Sequence, residues 1–230
     1  MKYIAIVAAG ESLPSDSLLR EKLKEVDTIL AVDGGLDVLI RLKVKADLLL
    51  GDFDSSSFAV SHPLVQDYVR DKKVLRFPVR KDQTDMELAL CYCAKHCAEK
   101  VLLFGGVGSR LDHTLINFSM IKRFTEGGMS IVAYSKHNVV RYLVPGVYCL
   151  PKPMEDFWYT SFLLFSGEAT MTLRGFDYPL ESVTLTAGSS LAISNHVLAM
   201  DNEVRIESEK GCGVFCVQSC DANDRILSAQ

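Results

Sequence analysis

Val101-Leu102-Leu103-Phe104-Gly105-Gly106-Val107-Gly108-Ser109-Arg110-Leu111-Asp112-His113 passes from an apolar run through a glycine-rich turn. It then enters His113–Phe124, a segment with helical spacing. A short apolar run closed by glycine fits a strand buried on both faces, and the helix behind it completes a β/α unit. The same unit recurs on either side. Apolar, β-branched runs predict further strands at Tyr3–Ala8, Thr28–Val32, Asp47–Leu50, Val74–Phe77 and Ser130–Ala133. A second helix is predicted over Asp85–Ala98, where Met86, Leu90, Cys93 and Cys97 fall on one stripe. That stripe makes two of the cysteines core residues without a metal. The alternation predicts a Rossmann-like, mostly parallel α/β domain over residues 1–140.

After Asn138 the pattern changes. Pro145-Gly146, Pro151 and Pro153 punctuate the chain, and no helical period returns. Short runs at Phe162–Phe165, Ala169–Leu173, Ser182–Leu185, Ser190–Ile193, Glu203–Glu207 and Val214–Val217 are separated by turn residues such as Ser166-Gly167, Ala187-Gly188 and Lys210-Gly211. Such spacing predicts an all-β antiparallel sandwich over residues 146–230, with the boundary near 140–150.

Composition narrows the function classes. With 48% hydrophobic and 23% charged residues among 230, the chain is an ordinary globular one. A formal net charge of −4 gives no electrostatic reason to expect nucleic acid. No run is long enough to cross a membrane. The seven cysteines include no CxxC pair. Reduced thiols in a cytoplasmic protein are the expectation.

Chemistry concentrates in three acidic clusters: Gly51-Asp52-Phe53-Asp54-Ser55, Lys81-Asp82-Gln83-Thr84-Asp85 and Gly108-Ser109-Arg110-Leu111-Asp112-His113. Each follows a predicted strand, and ligands of an open α/β sheet bind beyond the strands' carboxyl ends. Asp52 and Asp54, two residues apart in extended backbone, point to the same side and suit one cation. Converging carboxylates are hard oxygen donors, which implies Mg²⁺ rather than zinc. Arg110 offers a fork for phosphate oxygens and Lys81 a point charge. Each cluster also has a reading without function. Asp54 can cap a helix, Thr84 and Glu87 make a T-x-x-E capping box, and Asp112 can be the N-cap of the helix beginning at His113. No GxxxxGK[ST] is present, and Ala8-Ala9-Gly10-Glu11-Ser12 lacks the GxGxxG of a Rossmann dehydrogenase.

Taken together and in order, the clusters make the chain resemble the thiamine pyrophosphokinase family. The match runs from Asp33-Gly34-Gly35 through Ala46–Ser55, Lys81–Asp85 and Arg110-Leu111-Asp112-His113-Thr114 to Ser194-Asn195. The resemblance implies transfer of diphosphate from ATP to the hydroxyl of thiamine, giving thiamine diphosphate and AMP. It implies Mg²⁺ held by Asp52, Asp54 and Asp85, with Asp112 a fourth ligand or a group just beyond them. Arg110, Lys81 and Thr84 would contact phosphate or substrate, Asp33 would line the same crevice, and Asp85 is the choice for general base. Gln83, Ser194 and Asn195 would contact thiamine, bound in a homodimer between the α/β domain of one subunit and the β domain of its partner. Two rival readings share the clusters: a diphosphokinase for another alcohol, such as a hydroxymethyl pterin, and a nucleotide-binding regulator without catalysis. No tryptophan lies near Ser194-Asn195; Trp158 is expected in the core.

Overall fold

In the computed structural model, which describes residues 2–51, 63–71, 73–76, 82–153 and 158–221, β1 (Tyr3–Ala8) lies amid parallel strands. The residues Asp52, Asp54 and Lys81 singled out above lie outside this described set. The chain divides into two compact units, one extending through Lys136 and one beginning at His137.

In the first unit β1 pairs in parallel with β2 (Thr28–Val32) on one side and β5 (Lys100–Phe104) on the other. Outward from β2 come β3 (Leu48–Gly51) and β4 (Val74–Arg76), and outward from β5 comes β6 (Ser130–Tyr134), giving the order β4-β3-β2-β1-β5-β6. The order reverses direction between β1 and β5. This is the switch point at which an open sheet leaves a crevice. Ile4 to Val7 and Val101 to Phe104 are buried almost completely, as parallel strands covered on both faces require.

Helices α1 (Asp16–Leu23), α2 (Gly35–Arg41), α3 (Pro63–Arg70), α4 (Asp85–Lys95) and α5 (Leu111–Glu126) complete the unit. Helix α4 packs on β1, β2 and β3 and against α5. Helix α2 starts so close to β1 that a Cβ on Gly35 would lie 1.9 Å from the Val7 carbonyl oxygen. Only glycine permits that approach.

The stripe on α4 is corrected at one end. Met86, Leu90 and Cys93 are buried, but Cys97 is exposed. The helix stops at Lys95, and Cys97 takes a left-handed φ of 54°. Its N–H donates to Ala94 O at 3.1 Å and that of Ala98 to Cys93 O at 3.0 Å, a Schellman ending with cysteine where glycine is usual.

In the second unit, β7 (Asn138–Leu143), β13 (Val214–Ser219) and β9 (Tyr159–Leu163) pair antiparallel. The strands β11 (Leu180–Thr186), β10 (Glu168–Arg174), β12 (Glu203–Glu207) and β8 (Gly146–Tyr148) form a four-stranded antiparallel sheet. Leu143, Phe162 and Val214 from the first set meet Met171, Leu173, Leu185, Val204 and Ile206 from the second in one core, which makes the unit a sandwich. Trp158 is buried, as expected. The strand expected at Ser190–Ile193 is instead a turn. Ile193 N donates to Ser190 O, and only Ala192 turns inward, while Leu191 and Ile193 face solvent.

Candidate active site

The crevice at the β1/β5 switch point is a cleft of about 570 Å³ in the first unit. Its walls come from the ends of three strands and the starts of two helices. Ala8 at the end of β1 is followed by Ala9, Gly10 and Glu11; after β2 comes Asp33; Gln83 and Thr84 precede α4, and Asp85 opens it; after β5 come Gly105, Gly106, Gly108, Ser109 and Arg110; α5 gives His113, Thr114 and Asn117.

Asp33 sits in the β2–α2 turn with φ at 45°, the left-handed region that Asp tolerates better than most side chains. Its N–H donates to Leu50 O at 3.0 Å, tying the turn to β3. Gly51 closes β3 directly against it. A Cβ there would lie 1.8 Å from Asp33 Oδ1, and Gly51 itself has φ +136°. The glycine that precedes Asp52 is therefore the space into which the Asp33 carboxylate fits.

Asp85 is the first residue of α4, half-buried, and lines the cleft. Thr84 is the N-cap, its Oγ1 accepting from Glu87 N at 3.2 Å. The expected capping box forms in this half: the Glu87 carboxylate accepts from Arg123 at 2.8 Å, an ion pair between α4 and α5. Gln83 is exposed at the cleft edge.

Helix α5 begins two residues earlier than expected, at Leu111. Asp112 therefore lies in its first turn, and the N-cap is Arg110, which gives no capping side-chain bond. An ion pair spans this start. Arg110 donates from Nη2 to Asp112 Oδ2 at 2.7 Å and from Nε to Oδ1 at 3.3 Å, so the two side chains close on each other across the helix start. The Arg110 guanidinium holds the Asp112 carboxyl below the usual carboxylate range. Arg110 lines the cleft, whereas Asp112 does not. A forked guanidinium with its carboxylate partner on the outer side can face an anion within.

The structure thus brings Asp33, Gln83, Thr84, Asp85 and Arg110 to one cleft. Among the described residues no three of His, Cys, Asp and Glu come together as a metal centre. The side chains in the walls that can ligate a metal are the carboxylates of Glu11, Asp33 and Asp85 and the imidazole of His113, with no cysteine among them, so oxygen predominates. That is hard-oxygen chemistry, which suits Mg²⁺.

Sequence reasoning missed Ala8 to Glu11 and Asn117. The strand order alone signals the first group, since residues leaving β1 at the switch point must floor the crevice.

Ser194 and Asn195 belong to the second unit. Ser194 is exposed with φ 58°. Asn195 turns inward and is 2% exposed. Its Oδ1 accepts from Tyr178 N at 2.9 Å and His196 N at 2.8 Å, its Nδ2 donates to Tyr178 O at 2.7 Å, and its backbone bridges Thr160 on β9. Around this clamp, the ring of His196 lies 5.0 Å from that of Tyr159, and its Nδ1 is 3.9 Å from Asp177 Oδ2.

Comparison with known proteins bears on both units. The model of the thiamin pyrophosphokinase catalytic domain matches residues 19–133, and that of the thiamin pyrophosphokinase vitamin B1 binding domain matches residues 149–213. The chain is 32% identical to the thiamine pyrophosphokinase of Bacillus subtilis (strain 168) over 204 residues, covering 86% of this chain and 91% of that one. The crystal structure of thiamine pyrophosphokinase from Bacillus subtilis superimposes with a TM-score of 0.80 at 27% identity, covering 96% of this chain and all (100%) of the other. That of thiamin pyrophosphokinase from Geobacillus thermodenitrificans gives 0.77 at 26% identity, covering 96% and 99%. On these matches across both units, the chain belongs to the thiamine pyrophosphokinase family.

Proposed function

We propose that the cleft at the β1/β5 switch point holds ATP for transfer of its terminal diphosphate to the hydroxyl of thiamine. The chain is a diphosphokinase of its family. The observation that carries the placement is the convergence of Asp33, Asp85 and Arg110, from three distant segments, on one cleft of the first unit. In the reaction the thiamine hydroxyl oxygen bonds to the β-phosphorus, the bond from that phosphorus to the α–β bridging oxygen breaks, and AMP departs with the electron pair. The hydroxyl proton passes to a carboxylate of the cleft, for which Asp85, Asp33 and Glu11 are the candidates in its walls.

Such a transfer needs alignment and neutralisation more than covalent help. Arg110, already oriented by Asp112, presents a fixed charge to the transferred group. The Gly105–Arg110 turn brings backbone close to the phosphates, and the start of α4 adds the positive end of a helix dipole. Asp85 with Asp52 and Asp54 would hold Mg²⁺, which supplies charge neutralisation on the phosphate oxygens when bound. Asp112 serves here by orienting Arg110. Lys81 is assigned a phosphate contact from its place two residues before Gln83.

Residues 1–140 are assigned to ATP and residues 146–230 to thiamine and to pairing of two copies in a homodimer. Ser194 and the aromatic surroundings of Asn195 support the thiamine assignment. Cytoplasmic residence is supported by seven cysteines without a disulfide and by the lack, among the described residues, of a helix long and apolar enough to cross a membrane.

The test is to incubate the protein with Mg-ATP and thiamine and to separate the products. AMP formed one-for-one with thiamine diphosphate is expected. ADP, or nucleotide turnover that ignores thiamine, overturns the reading.

A further inference from the structure

Resting on that reading of the cleft, we propose that Thr114 is a positioning residue, its hydroxyl fastening the glycine turn after β5 so that Arg110 faces the phosphates. Gly105 and Gly106 pack closely on Ala8 and Leu103, but Gly108 and Ser109 at the tip of the turn are exposed, and a Cβ placed on Gly108 would meet nothing within 4 Å. Packing cannot hold the tip; hydrogen bonds must. Two are present from α5. Thr114 Oγ1 accepts from Gly108 N at 3.2 Å and lies 3.2 Å from Gly108 O, to which its hydroxyl donates. Both backbone groups of one glycine thus end on one hydroxyl. One turn further along, the buried Asn117 donates from Nδ2 to Gly106 O at 2.6 Å.

The bond from Thr114 is not the habitual one. A helical threonine usually returns its hydroxyl to the carbonyl one turn back. Here that carbonyl, Arg110 O, takes the Thr114 N–H at 3.0 Å, while the hydroxyl reaches six residues back, beyond the helix start. The stretch between the two anchored points is Ser109 to His113, and it contains Arg110. Because Arg110 offers no capping oxygen to α5, no side-chain cap fixes where the chain enters the helix. The Thr114 hydroxyl fixes it instead, and the guanidinium inherits its aim.

The experiment compares wild type, Thr114→Val and Thr114→Ser by two readouts: hydrogen–deuterium exchange of the Gly108 amide, and kcat and KM for Mg-ATP and thiamine. Valine keeps the shape and deletes the hydroxyl; serine keeps the hydroxyl. Faster Gly108 exchange in Thr114→Val is expected, together with a fall of about ten- to a hundredfold in kcat/KM for ATP. The KM for thiamine should stay where it was, and Thr114→Ser should restore both exchange and kinetics. Unchanged Gly108 exchange or unchanged kinetics in Thr114→Val overturns the proposal. So does a serine variant as impaired as the valine one, which would assign the effect to methyl packing. A wild type that makes no thiamine diphosphate would instead remove the reading of the reaction, while amide exchange would still judge the fastening.

Discussion

Asn195 and Arg110 use polar side chains in opposite ways. In the sandwich, Asn195 is buried and its amide is consumed by Tyr178 and His196, and Asn202 is likewise buried against Leu150 and Ala199. In the α/β unit, Arg110, Thr84 and Gln83 stand at the open edge of a cleft. The sandwich uses Asn195 and Asn202 to hold loops to strands; the α/β unit leaves Arg110 and Gln83 at the rim of the cleft, where a charged ligand can meet them. The difference teaches where substitutions should cost stability and where they should cost only turnover.

The contrast is broken most directly at the cleft. Asp85→Asn, and likewise Asp52→Asn, should lower turnover roughly a thousandfold with the thermal transition unmoved. A shifted transition would mean that Asp85 is spent on structure after all. The converse is Phe162→Ala in the sandwich core, where the side chain is 1% exposed. A loss of about 3–5 kcal/mol in denaturant unfolding is expected. Asn195→Leu should fall between the two: about 1–3 kcal/mol of stability, from Tyr178 and His196 backbone groups left without their partner. If stability is unchanged and only the KM for thiamine rises, Asn195 belongs with the ligand groups.

Smaller effects sharpen the comparison. Asp112→Asn should reduce kcat about tenfold by releasing Arg110. Because the folded carboxyl titrates below its ordinary 3.8, the ion pair is fully present above that value and is lost as pH falls through the lowered one. The variant should therefore differ from wild type throughout the neutral range and converge with it in acid. Last come the thiols. Burial pushes Cys93 up to about 12 and Cys216 up to about 11, so both should resist alkylation in the native protein, while the exposed Cys97 and Cys149 react.

The strands of the α/β unit were legible because continuous burial leaves a continuous apolar run: Tyr3–Ala8 and Thr28–Val32 are read from sequence with the ends they have in the fold. The cleft residues were legible as short polar strings after such runs. What could not be read depends on partners far along the chain. Ala8 to Glu11 become a cleft floor only because β5 pairs with β1. Leu191 and Ile193 look like strand residues, yet their neighbours leave them exposed. Cys97 continues a helical stripe in sequence, and only the left-handed turn at that residue takes it off the helix. Asp112 reads as an N-cap, but the helix starts before it, and the ion pair that Arg110 makes with it could not be read from the string.

The central place of β1 also bears on how the protein is made. Its partner β2 lies within the next thirty residues, but its partner β5 follows almost a hundred residues later, and the crevice exists only once both flank it. Contacts so distant in sequence close slowly, because the entropy of the loop is lost before the pairing compensates. On refolding, helical signal should therefore return before ATP binding does. A chain halted in synthesis before Lys100 would have β1 and β2 to pair and no cleft at all.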